Sequence, residues 1–438
     1  MSDDNRIISV LKKKGIVPGD SVEVCAPDGR IVQGILMPHQ EDSDEDIIII
    51  KISSGYNIGI RLDDPNSVKA LENERKKLPE KGKSQPSKAQ LTQKDSTRKR
   101  ISIVSTGGTI ASYVDYRTGA VHPAVSADEL VASVPHLREI CDLETEMLYS
   151  ILSENMKPEN WKNLAERVAD HMNRGSTGVI VPHGTDTMGF SAAALSFALS
   201  NLTGPVVLVG SQRSSDRPSS DATINLLSAA RVCTDSDLGE VAVLMHETTD
   251  DIRCILHRGT RVRKLHSSRR DAFQSVNELP LGYVEKDRVT LHGEYDKRAI
   301  GKVQADAKFS TDVVLVQFYP GLTASRLEDF VDNANGIVIA GTGLGHVSQE
   351  ITPLIEKLTK DGVPVCITTQ TIWGSTNLNV YSTGRDMLAA GAIPLGDMLT
   401  ETAYVKLSWI LGHTNEMDKV RELMQSNLRH EISERRAL

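Results

Sequence analysis

The sequence predicts an α/β protein with two parallel-sheet domains, preceded by a small β-barrel-like domain. Three observations carry this expectation. From Ile101 onward, short β-branched runs alternate with stretches that are apolar at helical spacing, the pattern of strands covered by helices on both faces. The alternation pauses in the polar stretch DKRAIGKVQADAKFS, around residues 295–311, and resumes near Thr311. Ahead of it, ENERKKLPEKGKSQPSKAQLTQKDSTRKR is charged, proline-bearing and nearly free of apolar residues. Such a segment cannot bury a core and reads as a linker. The expected units are 1–72, a linker at 73–100, an α/β domain at 101–300 and a second at 311–438. A length of 438 residues agrees with about two or three domains.

In the first unit, Val22–Val24 and Arg30–Leu36 flank Pro27-Asp28-Gly29, a turn signal. Asp46–Ile52 and Ile58–Leu62 supply further strands, and short strands at this spacing suggest a small barrel. In the second unit Ile101–Val104, Gly178–Pro182, Pro205–Val209 and Glu240–Met245 read as strands, and Pro158–Arg174 and Gly189–Leu202 as helices. In the third, strands are expected at Val313–Phe318, Gly336–Ala340 and Val363–Ile367, with helices in Ala324–Asn335, Ser348–Lys360 and Ala403–Leu428.

Composition excludes some functions. Fifty basic and 58 acidic residues give a net charge of −8, no electrostatic footprint for gripping nucleic acid alone. Five scattered cysteines without a C-x-x-C suggest neither a zinc site nor a disulfide framework, and a reducing compartment fits. No stretch approaches about 18 uninterrupted apolar residues, and MSDDNRIISVLKKKG lacks a signal-peptide core. A cytoplasmic protein without a membrane span is expected.

Three places carry candidate chemistry. IVSTGGTIAS (103–112) is a strand end, then a glycine pair flanked by Thr106 and Thr109. It lacks the lysine of a phosphate-binding P-loop and the spacing of a dinucleotide fingerprint. In doubly wound sheets ligands bind beyond the carboxyl ends of strands, where this turn sits, although by itself it also reads as a plain turn. VIVPHGTDTMG (179–189) is a second strand end of this kind. There Asp186 suits a helix N-terminus, as a functional group or as an ordinary N-cap, and His183 reads as a packing residue. RVRKLHSSRRDAF (261–273) is the third. A threonine hydroxyl needs a neighbouring base. Lys264, among Arg261, Arg263 and His266, reads either as that base, its protonation disfavoured by the cations, or as an exposed lysine.

Together, STGGTIAS and HGTDTM resemble the two signature motifs of the bacterial-type asparaginase/glutaminase family. VGSQRSSDRPSSDATINLLSA (209–229) and the Lys264 loop follow the family's order and spacing. The resemblance spans residues 101–415 and implies an asparaginase-like fold that hydrolyses an amide through a threonyl acyl-enzyme. It implies Thr109 as the first nucleophile and Tyr116 as its activating hydroxyl, with Tyr113 a rival. It implies Thr185, Asp186 and Lys264 as a second catalytic cluster, and Gly108, Ser153, Glu154 and Gly184 as substrate-binding residues. No metal or cofactor is implied for this chain.

The additional amino-terminal β unit and linker, with SSGYNIGIRL (53–62) and TNLNVYSTGRDML (376–388), resemble the glutaminase subunits of archaeal tRNA-dependent amidotransferases. That likeness implies glutamine as substrate and a homodimeric core forming a heterotetramer with a partner, the E subunit. The partner would use ATP and Mg to activate Glu on tRNA(Gln), would hold the tRNA, and would take the ammonia. A free-standing asparaginase or glutaminase is the competing reading. The contribution that a neighbouring protomer makes in the family has no acidic counterpart in AGTGLGHVS (340–348) or IWGSTNLNVYS (372–382). The glycines of the former read as a tight turn.

Overall fold

The structure is a computed structural model that describes residues 6–37, 46–52, 57–71, 98–108, 110, 112–114, 121–123, 134, 136–213 and 220–433. The first unit begins with a helix, Arg6–Lys13, and continues in five strands: Ser21–Cys25, Ile31–Leu36, Ile47–Lys51, Asn57–Arg61 and Val68–Ala70. They form one antiparallel sheet in the spatial order fourth, third, second, first, fifth. Val22 and Val24 alternate inward with the strand's period of two. They share a core with Ile48, Ile50, Ile60 and Val68, closed by Ile7 and Leu11 from the helix.

The central sheet has eight strands. Five run parallel, in the spatial order Asp142–Ile151, Arg100–Gly107, Val179–Pro182, Val206–Val209 and Val241–His246. Three antiparallel strands extend it, Arg253–Arg258, Gly282–Glu285 and Arg288–Leu291, so the sheet is mixed rather than purely parallel. Its four inner parallel strands are buried on both faces, as a sheet covered twice requires. Ile101, Ile103, Ile180, Val207, Val209, Ala242 and Leu244 pack on one side with the helix Ala222–Asp235. Val104, Val179, Val181, Val206, Leu208, Val243 and Met245 pack on the other with Pro158–Asn173 and Met188–Ala198.

The last sheet is parallel throughout, with strands Val313–Gln317, Gly336–Gly341, Val365–Thr369 and Ile393–Pro394 in sequential order. The expected helix at 324–335 stops at Phe330, and 403–428 divides into Thr400–Leu411 and Met417–Gln425. The polar stretch before this sheet is not bare linker: Val303 and Ala307 are buried, and Gln304–Ala305 pairs with Leu199–Ser200.

The two α/β units meet along helices Met188–Ala198 and Thr400–Leu411, where Phe190 faces Tyr404 edge-on and Phe197 stacks on Trp409. Among the described residues no helix is long and apolar enough to cross a membrane.

Candidate active site

The carboxyl ends of the parallel strands converge on one spot because glycines let them. Gly107 and Gly108 have φ of +104° and +85°, a left-handed region that residues with a Cβ rarely adopt. A Cβ on Gly108 would lie 2.4 Å from the backbone N of Gly184, and one on Gly184 would lie 2.6 Å from Cβ of Ser153. The glycine turn, the HGTD turn and the SEN turn are therefore in direct contact. Thr106 Oγ1 donates to the carbonyl of Pro182 at 3.0 Å, and Thr187 Oγ1 donates to that of Ser153 at 2.7 Å. Ile110, just past the turn, is fully buried in the sheet's core.

Lys264 stands at the end of a three-residue strand, Val262–Lys264, paired antiparallel with Phe273–Ser275. Its Nζ donates to Thr185 Oγ1 at 2.8 Å and to Asp186 Oδ1 at 2.9 Å. Thr185 is buried, whereas the Asp186 side chain is 68% exposed and that of Lys264 only 12%. The structure thus brings together hydroxyl, amine and carboxylate at the edge of the glycine turn.

Two expectations change. Asp186 does not cap the following helix: that helix starts at Met188 with Thr187 at the cap position, and the Asp186 carboxylate accepts from Lys264 instead. Nor do the neighbouring cations gather on the lysine. The Arg261 guanidinium turns away to Asp397, His430 and Ser433, and Arg263 pairs with Glu401 at 3.1 Å. On a strand, residues two apart share a face and the odd one out points elsewhere, but here it is the second domain that collects both guanidiniums.

Gly108, Gly184 and Ser153 lie at the convergence, and Glu154 is exposed beside it. Thr109 and Tyr116 fall outside the described residues, as does the side chain of Tyr113. His183 is a packing residue: it is fully buried, its Nδ1–H donates to the carbonyl of Gly184 at 2.7 Å, and burial lowers its pKa to about 4. One buried group went unassigned in the sequence. Asp221 accepts from the backbone N of Gln212 and Arg213 and from Ser211 Oγ, each at 3.0–3.1 Å, which fixes the loop after the fourth parallel strand. Its place in SSDATINLL is equally that of a helix-capping aspartate, so pattern alone does not single it out.

Among the described residues, Glu240, Asp296 and His430 bring potential metal-ligand atoms within 4.8 Å of one another. This group precedes the Val241–His246 strand, at the end of the sheet opposite Lys264. Both Glu240 oxygens already accept from Arg258, so a cation there would have to displace a guanidinium.

A parallel sheet with glycine turns at its carboxyl ends and a threonine–lysine–aspartate cluster defines an asparaginase-type hydrolase. Comparison with known families agrees: residues 100–297 match "Asparaginase, N-terminal" and 312–424 match "Glutaminase/Asparaginase C-terminal domain". Among solved structures, the thermostable L-asparaginase from Thermococcus kodakarensis aligns with a TM-score of 0.70 and 32% identity, over 76% of this chain and 99% of that one. L-asparaginase I from Vibrio cholerae aligns with a TM-score of 0.68 and 29% identity, over 77% and 99%.

The amino-terminal unit narrows the assignment. Residues 16–71 match "GatD N-terminal domain". The glutamyl-tRNA(Gln) amidotransferase D subunit of Pyrococcus furiosus is 48% identical over 437 residues, 98% of each chain. That of Saccharolobus islandicus is 48% identical over 434 residues, 98% of this chain and 96% of the other. The chain belongs to the family of glutamyl-tRNA(Gln) amidotransferase D subunits.

Proposed function

We propose that this chain is the glutaminase subunit of a tRNA-dependent amidotransferase, hydrolysing glutamine at the convergence of its strand ends and passing ammonia to a partner. The observation that carries the chemistry is the single amine, Lys264 Nζ, within hydrogen-bond reach of both Thr185 Oγ1 and Asp186 Oδ1. The full-length likeness to D subunits supports the setting, whereas the asparaginase structure from Thermococcus kodakarensis matches 76% of the chain.

In the proposed course, Thr109 Oγ adds to the side-chain carbonyl carbon of glutamine as its hydroxyl proton passes to the base; the C–N bond breaks as that proton is handed to the departing nitrogen, which leaves as ammonia. Water then attacks the resulting ester and glutamate departs. Lys264 is assigned as the base, its Nζ 2.8 Å from Thr185 Oγ1 along the path a proton would take. Asp186 orients the amine. Backbone N–H groups of the adjoining glycine turns are assigned to the oxyanion, a contribution of about 3–4 kcal/mol per donor. Ser153, buried against Gly184, and Glu154 are assigned to the substrate's amino-acid end.

The remainder of the reaction belongs to the partner, the E subunit, which by this reading uses ATP and Mg to activate Glu on tRNA(Gln) and holds the tRNA. The net charge of −8 supports that division. A homodimeric core, a heterotetramer with the partner and a cytoplasmic location complete the proposal. Ammonia release by the full chain, alone and with partner and charged tRNA, tests it. Release that is slight alone, rises in the assembly and vanishes in Thr185→Val and Lys264→Met supports the reading; vigorous unassisted asparagine hydrolysis overturns it.

A further inference from the structure

The hairpin that carries Lys264 is too small to hold itself. It comprises three residues on each side, Val262–Lys264 and Phe273–Ser275, and forms a two-stranded sheet of its own. An isolated two-stranded hairpin is marginal in water. Yet its lysine must keep two contacts under 3 Å. Its apolar residues Val262, Ala272 and Phe273 pack into the first unit's core and Ser275 pairs with His257 at 2.8 Å, while polar contacts at its two feet come from the second α/β unit and the chain's last residues.

On the incoming side Arg261, 1% exposed, spends its guanidinium on that unit. Nε donates to the carbonyl of His430 at 2.8 Å, one terminal nitrogen pairs with Asp397 Oδ2 at 3.1 Å, and the other donates to Ser433 Oγ at 2.7 Å. Arg263, next to Lys264 in sequence, pairs with Glu401 in the first turn of helix Thr400–Leu411. On the outgoing side Asn277 adopts φ of +60°. Its Nδ2 donates to the carbonyls of Gly374 and Asp397 at 2.9 and 3.0 Å, and its Oδ1 accepts from the N–H of Gly374 at 2.9 Å. Across the base, Val276 N donates to the carbonyl of Arg261 at 2.8 Å, closing the clamp into one ring.

We propose that Arg261, Arg263 and Asn277 are positioning residues for Lys264, the second unit holding both feet of the hairpin so that Nζ reaches Thr185 and Asp186. This rests on the reading of Lys264 as a participant in glutamine hydrolysis. A residue moved by about 1 Å in an active site costs roughly 10²-fold in rate. The cost falls on turnover rather than on binding. Ser153 is held through Thr187 and Gly184 on other strand ends, so a loosened hairpin leaves it in place.

The test uses the full chain assembled with its partner and charged tRNA, and reads glutamine-dependent ammonia release. Arg261 is buried and its loss endangers folding, so the variants are Arg263→Glu, Glu401→Arg, the two together, and Asn277→Asp. Aspartate tolerates the left-handed backbone and keeps the acceptor, but loses both donations. Each single variant should lower kcat by roughly ten- to a hundredfold with KM for glutamine within about twofold and melting retained. The charge-swapped pair should regain most of the lost kcat. Wild-type kcat in both Arg263→Glu and Asn277→Asp, or no recovery in the swapped pair, overturns the positioning role. Lys264→Met separates the levels. If it retains wild-type turnover, the catalytic reading itself fails; if it is inactive while the clamp variants are wild-type, only the clamp fails.

Discussion

Both α/β units end a buried parallel strand in a glycine-bearing turn, and the two turns differ in what surrounds them. In the first, Gly107 and Gly108 open the backbone outward, against Gly184 and Ser153 from neighbouring strand ends. In the second, Gly341–Gly345 folds back on itself. Thr342 N–H donates to the carbonyl of His346 at 2.8 Å, and a Cβ on Gly341 would lie 2.5 Å from Gly345 of the same turn. The first turn thus adjoins a hydroxyl, an amine and a carboxylate held on other segments; the second is closed by bonds between Thr342 and His346 and by Thr369, Gln370 and Asn377, which donate to its carbonyls. A glycine turn at a strand end is a generic device for packing chain closely. What makes one a site is the cargo of the adjacent strand ends.

The largest effect expected from this difference is the loss of Lys264. Lys264→Met removes the amine that bridges Thr185 and Asp186 while keeping length and packing, and a general base contributes roughly 10²- to 10⁴-fold. Ammonia release by the assembled enzyme should fall by that factor. His346→Ala, at the end of the second turn, should change kcat by less than about twofold. Comparable losses in both would erase the distinction between the turns.

Next in size is Gly108→Ala. The new methyl would meet backbone atoms of Gly184 at 2.4 and 2.5 Å, a contact that no side-chain rotation relieves, on a backbone with φ of +85°. Strain of this kind costs about 1–3 kcal/mol, and displacing the turn should lower turnover about a hundredfold. Melting and steady-state kinetics on one preparation check both parts. Wild-type activity would show that the contact between the two strand ends is dispensable.

How much of this is readable follows from where each interaction lives along the chain. The parallel strands are legible because a strand buried on both faces must be an uninterrupted β-branched run, as in VIVP and VVLV. The strand Asp142–Ile151 escapes because it lies at the sheet's edge and, apart from exposed Ser150, is half-buried along its length, so DLETEMLYSI shows no simple alternation. The antiparallel extension hides likewise: Arg253–Arg258 carries a histidine and two arginines, one of them buried by pairing with Glu240 at 2.8 Å. At the site, motif nominates Thr185, Asp186 and Lys264, and their meeting is what the structure adds. The cationic company of Lys264 misleads because the partners of Arg261 and Arg263 lie more than a hundred residues downstream, at Asp397 and Glu401, beyond anything local pattern conveys.

A third prediction sharpens the comparison through pH. His183 sits behind the first turn, fully buried and hydrogen-bonded to Gly184. Burial holds its pKa down at about 4, against 6.5 when unfolded. The unfolded chain therefore binds a proton that the folded one refuses between those values. Stability that is complete above about pH 6.5 is lost progressively as pH falls toward about 4, in all of the order of 3 kcal/mol. His183→Asn keeps a donor toward Gly184 without the titration. Its stability should start lower, from lost packing, and decline less steeply across pH 6.5 to 4 than the wild type in denaturant titrations. Equal slopes would mean that His183 is protonated in the folded state as readily as in the unfolded one.

The smallest effect should come from Gly343→Ala in the second turn. Gly343 also has a left-handed backbone, with φ of +50°, but a Cβ there would meet nothing within 4 Å. Only the intrinsic preference against that conformation remains, about 1–2 kcal/mol, so melting should drop by no more than a few degrees with kcat and KM for glutamine unchanged. This mild substitution is the sharpest probe of the contrast. If the proposed homodimer sets the second turn of one chain against the first turn of another, a methyl at Gly343 projects into that junction. Loss of turnover with melting preserved would therefore place both glycine turns in one composite site, whereas a small stability cost alone leaves the second turn as chain packing.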